Sequence, residues 1–162
     1  MLKRNYICNC VNVVFLFFSR GYLVFKLSYT SKTASSKEQL LIDLRNILSE
    51  ARNFNVLHDV TGVLYFADGT FFQYLEGEKD DLFILKEKLE KDLRHTELQF
   101  FEMQEIEVRK FSDWAMKYVS KQSMIQQYLL SCNVLGFHPE QLSQQQVNEL
   151  VDLLVFIEDH AA

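Results

Sequence analysis

The chain has 162 residues, a formal net charge of −5 and an apolar fraction of 48%, including 14 phenylalanines and 7 tyrosines. That length builds one domain with a substantial core, too little for a sensor plus a separate catalytic domain of ordinary size, and the composition excludes disorder. The 17 basic residues are scattered, which leaves no footprint for direct nucleic acid binding.

Residues 1–21, "MLKRNYICNCVNVVFLFFSRG", place Lys3 and Arg4 ahead of an apolar run from Val11 to Phe18. The run is similar to a signal-peptide core but lacks a small-residue cleavage site, and it is too short to span a membrane. We read 1–21 as an extension outside the domain. Cys8, Cys10 and Cys132 form no zinc-binding pattern, which fits reduced thiols in a cytoplasmic protein.

The first strand is expected over Tyr22 to Ser28, "YLVFKLS", with Tyr29 at its end. Ser35 and Glu38 form an S-x-x-E capping box, after which Leu40, Leu41, Leu44, Ile47, Leu48, Ala51 and Phe54 recur at helical spacing, and the helix should close near Asn53 to Asn55. Val60 to Ala67 and Thr70 to Glu76 flank Asp68-Gly69, a hairpin signal because both turn residues tolerate positive φ. That turn sets Ala67 opposite Thr70, Phe66 opposite Phe71, Tyr65 opposite Phe72 and Leu64 opposite Gln73. One sheet face then carries Leu64, Phe66, Phe71, Gln73 and Leu75, and the other Val63, Tyr65, Phe72 and Tyr74. Two apolar faces require two covering layers.

A second helix over Lys79 to Lys91, a strand over Leu98 to Val108 and another around Trp114 to Val119 complete a β-α-β-β-α-β-β order, an α+β fold on a ferredoxin-like plan. Met124 to Val134 predicts a helix stopped at Gly136, and Pro139 stands where a last helix would begin, with Leu142, Val147, Leu150, Val151, Leu154 and Ile157 as its apolar stripe. These two helices, within 120–162, are the expected cap on the second face of a domain spanning 22–119.

No phosphate-binding glycine loop, metalloprotease helix or nucleophile elbow is present, and His58, His95, His138 and His160 have no ligand-like spacing. Gln73 is the odd residue: a buried amide without partners would cost about 1–3 kcal/mol. It either hydrogen-bonds a neighbouring element or meets a ligand. Tyr29 is core-like with its hydroxyl at a rim, and Asn55 reads as a helix C-cap. Each residue has an ordinary structural explanation, and only their combination is unusual.

The segments "LSYTS" (27–31), "RNFNVLHDVTGVLYFADGTFFQYLEG" (52–77), "KDLRH" (91–95) and "FSDWAMKY" (111–118) together resemble the BLUF domain, a flavin-binding blue-light sensor. The specific part is Q-x-L-E-G following a T-G-x-L-x-x-x-x-G hairpin, and the helical tail resembles the cap of short, effector-free members. The resemblance implies FAD between the two helices and the sheet, with Tyr29 as photoactive tyrosine, Gln73 as switching glutamine and Asn55 bonded to the ring edge. It implies Ile47 on a ring face and, nearby, Lys88, Asp92, Arg94 and His95. Phe54 departs from the pattern, because a polar residue often precedes the asparagine.

Trp114 and Met116 match the family's last-strand output pair. The resemblance further implies a bacterial, non-enzymatic photoreceptor that signals through its cap to a regulatory protein, off the membrane, with homo-oligomers allowed. The alternative is a flavin-free regulatory or small-ligand module on the same plan, in which Gln73 is merely structural.

Overall fold

The hairpin turn sets the geometry of the sheet. Asp68 and Gly69 take φ of 51° and 78°, and the pairing that follows runs from Ala67 opposite Thr70 to Leu64 opposite Gln73 and on to Thr61 opposite Glu76, as the turn dictates. The chain is a computed structural model that describes residues 23–120 and 122–157; the proposed extension 1–21 lies outside the described residues.

In chain order the elements are β1 (Val24–Thr33), α1 (Leu40–Leu57), β2 (Thr61–Ala67), β3 (Thr70–Gly77), α2 (Lys79–Glu90), β4 (His95–Phe100), β5 (Gln104–Ile106), β6 (Lys117–Ser120), α3 (Ser123–Ser131), a 3₁₀ turn (Pro139–Gln141) and α4 (Gln144–Phe156). The sheet order is β4-β1-β3-β2-β6, with β5 also on β1. The first four strands of that order are the ferredoxin-like arrangement, and β6 adds in parallel to β2.

Several boundaries differ from the sequence reading. β1 continues through Tyr29 to Thr33, so Tyr29 is mid-strand. Flanking strands supply partners for its polar residues, as when the Thr30 hydroxyl donates to the Phe71 carbonyl at 3.0 Å. The Ser35–Glu38 capping box does not form. Residues 36–39 make a tight turn before α1, and the Ser35 hydroxyl instead donates to Asp43 at 2.6 Å. α1 runs past Asn55, whose place as C-cap is taken by His58. The long strand expected over 98–108 is two short ones, both on β1. Trp114 and Met116 precede β6 and are not part of it. The last helix starts after Ser143, which forms a full capping box with Gln146, and Pro139 opens only the 3₁₀ turn.

Two cores result. On one face α1 and α2 pack over Leu27, Leu64, Phe71 and Leu75 together with Met116 and Tyr118. On the other, Val63, Tyr65, Phe72 and Tyr74 meet Phe111 and the apolar stripes of α3 and α4, including Val147, Leu150, Val151 and Leu154. The alternation read from the hairpin therefore divides the two cores, and Gln73 falls on the α1–α2 side.

Candidate functional site

Tyr29 on β1 and Gln73 on β3 are direct cross-strand partners, so their side chains leave the sheet on one face. Above them, α1 and α2 leave a cavity of about 290 Å³. Ile47, Ala51, Phe54, Leu85 and Leu89 supply its apolar walls, Tyr29, Asn55, Gln73 and His95 its polar groups, and Glu50, Lys88, Asp92 and Arg94 its charged ones. Every residue expected at the flavin, Tyr29, Ile47, Asn55, Gln73, Lys88, Asp92, Arg94 and His95, lines this one space. Trp114 and Met116 do not.

The polar groups carry unmet hydrogen-bonding capacity. Among the described residues, Tyr29 Oη, Asn55 Oδ1 and His95 Nε2 are buried without a partner, an arrangement that would ordinarily cost about 1–3 kcal/mol per group. Asn55 is 1% exposed, and its Nδ2 donates to the Ala115 carbonyl at 2.5 Å, which fixes the orientation of the amide. Burial pushes the Tyr29 phenol well above its ordinary pKa, and Asp92 adds to the rise, so the proton stays on the oxygen. Burial likewise lowers His95. Its Nδ1 lies 2.9 Å from the Ser31 hydroxyl, while Nε2 is 3.8 Å from Asp92, too far for a hydrogen bond.

Asp92 and Arg94 form the rim. Burial works against the Asp92 carboxylate, but hydrogen bonds from Arg94 outweigh it and its pKa falls. Arg94 in turn makes a two-pronged contact with Glu50 at 3.1 and 2.6 Å, tying the turn ahead of β4 to α1 beside the cavity. Lys88 is exposed, with its Nζ 4.0 Å from the centre of the Phe54 ring. Phe54 also stacks on His58 at 4.0 Å, so the departure at this position replaces a polar contact with an apolar wall.

Gln73 Nε2 donates to Met116 Sδ at 3.3 Å, linking the cavity to the segment ahead of β6. Met116 belongs to the α1–α2 core, whereas Trp114 packs on the cap side, so the two residues of the expected output pair sit on opposite sides of the sheet. Glu50 carries no expectation from the sequence, and Ala51, Leu85 and Leu89 are expected only as apolar positions of their helices. Their signal was the helical spacing that groups Glu50, Ala51 and Phe54 with Ile47, and Leu85 and Leu89 with Lys88. Among the described residues no helix is long and apolar enough to cross a membrane.

The cavity chemistry fits a flat heteroaromatic group: apolar walls at helical spacing and a buried edge offering phenol, amide and imidazole atoms that lack partners. Comparison with known proteins agrees. Residues 24–117 match the family model described as BLUF, sensors of blue-light using FAD. Photoactivated adenylate cyclase subunit beta of Euglena longa is 30% identical over 99 residues, 60% of this chain and 11% of that protein. Its Euglena gracilis counterpart is 29% identical over the same shares. The chain thus spans only about a tenth of these curated relatives.

Among solved structures, BlsA in its photo-activated state has a TM-score of 0.83 and 38% identity, covering 86% of this chain and 100% of that one. BlrB, a BLUF protein in its dark state, has a TM-score of 0.68 and 25% identity over 82% and 96%. The flavin-free alternative falls with these matches. The chain belongs to the BLUF family of blue-light sensors, whose cofactor is FAD.

Proposed function

We propose that this chain senses blue light through a Tyr29–Gln73 hydrogen-bond network at bound FAD and passes the change, through the segment 114–116 and the cap, to a regulatory protein, without catalysing a reaction. The observation that carries the proposal is the set of buried atoms lacking partners, Tyr29 Oη, Asn55 Oδ1 and His95 Nε2, gathered with Gln73 on one cavity. They are the groups a flavin's hydrogen-bonding edge would satisfy. Ile47 would lie against the ring, and Lys88 and Arg94 would serve the anionic part of the cofactor.

When bound, FAD supplies absorption of blue light and a short-lived oxidising power. The remaining steps belong to the chain. Tyr29 holds a proton on Oη at any physiological pH, because burial opposes its ionisation, and releases it only when the phenol gives up an electron. Gln73 Oε1 would accept that proton with FAD bound, since Tyr29 Oη has no partner in the structure, and the carboxamide would give up one of its Nε2 protons toward the cofactor that takes the electron. Rotation or tautomerisation of the carboxamide then exchanges what it presents to Met116. Because a thioether sulfur only accepts, a carboxamide that has turned over with no proton on its oxygen breaks the 3.3 Å contact, and the Met116 side chain loses that tie while the carbonyls of Trp114, Ala115 and Met116 keep theirs to Gly62, Asn55 and Arg52.

The test is an absorption spectrum of the FAD-loaded protein before and after blue light, for the wild type, Gln73→Leu and Tyr29→Phe. The wild type should show a reversible red shift; both variants should keep flavin and lose the normal shift. An unchanged photocycle in either variant overturns the role given to that residue.

A further inference from the structure

Lys117, the first residue of β6, is 1% exposed. A lysine that deep needs compensation for its charge, and it reaches across to the cap for it. Its Nζ donates to the carbonyls of Leu154 at 3.0 Å and Val155 at 2.9 Å. Those oxygens lie in the last turn of α4, where carbonyls have no partner within the helix and the helix dipole favours a cation. The same Nζ sits 4.5 Å from the centre of the Trp114 ring, within cation–π range.

The placement connects features that otherwise lie apart. Lys117 follows Met116, the residue gripped by Gln73, it is paired with Val63 on β2, and it holds the C-terminal turn of α4. We propose that Lys117 is the positioning residue that couples the segment 114–116 to the end of α4, so that a displacement at Met116 and Trp114 is read as loosening or tightening of the last turn of that helix. The proposal rests on the light-driven network described above and adds the link by which its change reaches the cap surface.

The physical reason is directional. Apolar packing of α4 on the sheet tolerates small sliding, whereas an ammonium bonded to two backbone oxygens in a low-dielectric interior does not. A shift of the backbone at residue 117 must move those carbonyls or release them. Release exposes the last turn of α4 to exchange with water.

The test is hydrogen exchange on the FAD-loaded full chain in darkness and under blue light, for the wild type, Lys117→Met and Lys117→Arg. In the wild type the amides of Leu150 to Phe156 should exchange at different rates in light and dark. Lys117→Met should keep the flavin red shift but lose that difference, and Lys117→Arg, which retains charge and donors, should restore at least part of it. A Lys117→Met protein with the full difference overturns the role of Lys117 alone. A wild type with a normal red shift and no difference anywhere in the cap overturns the cap route itself. Should Lys117→Met fail to fold, nitrogen NMR of the wild-type lysine ammonium decides: its signal must change on illumination, and an identical signal in light and dark overturns the proposal.

Discussion

Replacing Glu76 by alanine should loosen the loop that carries Trp114 while leaving the cavity residues in place. Glu76 is 0% exposed. Its carboxylate accepts from the backbone N–H of Lys110 at 2.7 Å and of Phe111 at 3.0 Å, and from the Thr61 hydroxyl at 3.2 Å on the neighbouring strand. Phe111, so held, packs against Tyr74 and against Trp114, with ring centres 5.7 and 6.3 Å away. Hydrogen bonds to a charged acceptor are worth about 1.5–3 kcal/mol each, and the two amides cannot both find a substitute in a buried site, so Glu76→Ala should cost about 3–5 kcal/mol. For a chain of this size that corresponds to a fall of roughly 10 °C in melting temperature. Glu76→Gln, which keeps one carbonyl oxygen, should lose about half as much. Urea unfolding followed by circular dichroism gives the stability, and hydrogen exchange gives the protection of the amides of residues 110 and 111. A Glu76→Ala protein within about 1 kcal/mol of wild type, with those amides still protected, would refute the claim that Glu76 anchors this loop.

Two further outcomes test the framework around the site. Gly62→Ala should be severely destabilising, by about 3 kcal/mol or more in urea unfolding, because an added Cβ would stand 2.2 Å from the Tyr74 carbonyl oxygen; a melting temperature equal to wild type would show that β2 and β3 can separate there. His95 has a folded-state pKa lowered from its ordinary 6.5, so the unfolded chain binds its proton first. Stability should be full above that ordinary value and fall as pH drops below it toward the folded pKa, and His95→Gln should flatten the onset of that slope in urea midpoints measured downward from it.

The hairpin was legible in the sequence because its information is local. Asp68-Gly69 fixes the turn, the turn fixes the register, and a period of two fixes the faces, so the partition of Gln73 from Tyr74 followed without knowledge of the rest of the chain. Gathering Tyr29, Asn55 and His95 around Gln73 was not local: the ferredoxin-like strand order allows Tyr29 on that face, and the family resemblance supplied the rest. Tyr29 looked like a strand end because Thr30 and Ser31 are polar, and their partners on flanking strands are distant in sequence. Glu76 and Lys117 were passed over for the same reason. A carboxylate at the end of one strand and a lysine at the start of another look solvated until the loop from 107 to 116 and the end of α4 are seen to close over them. Gly62 was visible within T-G-x-L, but the close approach of the Tyr74 carbonyl that requires glycine is a property of the paired strands.

The choice of methionine opposite Gln73 bears on how the proposed switch works. A carboxamide donating to a buried carboxylate would be held by about 1.5–3 kcal/mol, and turning it over would also leave an anion unpartnered. Donation to a thioether is weaker, because sulfur is a poor acceptor, and losing it strands no charge. On the proposed mechanism the two orientations of Gln73 would therefore lie close enough in free energy for a small change in what Tyr29 offers to select between them. The cost of each orientation is then settled mostly outside the pair, by whether the segment bearing Met116 stays docked. That segment is fastened at both ends: Glu76 holds residues 110 and 111, and Lys117 holds α4. Between these anchors the backbone is also held, by the Gly62 N–H on the Trp114 carbonyl at 3.2 Å, Asn55 Nδ2 on that of Ala115 at 2.5 Å and Arg52 Nε on that of Met116 at 3.2 Å, so the weak Gln73 contact at 3.3 Å governs the Met116 side chain. On the proposed switch, a strong contact at Gln73 would hold the Met116 side chain in one place, whereas a weak one lets a local hydrogen-bond change move it, and the backbone bonds and the two anchors then limit how the segment can follow.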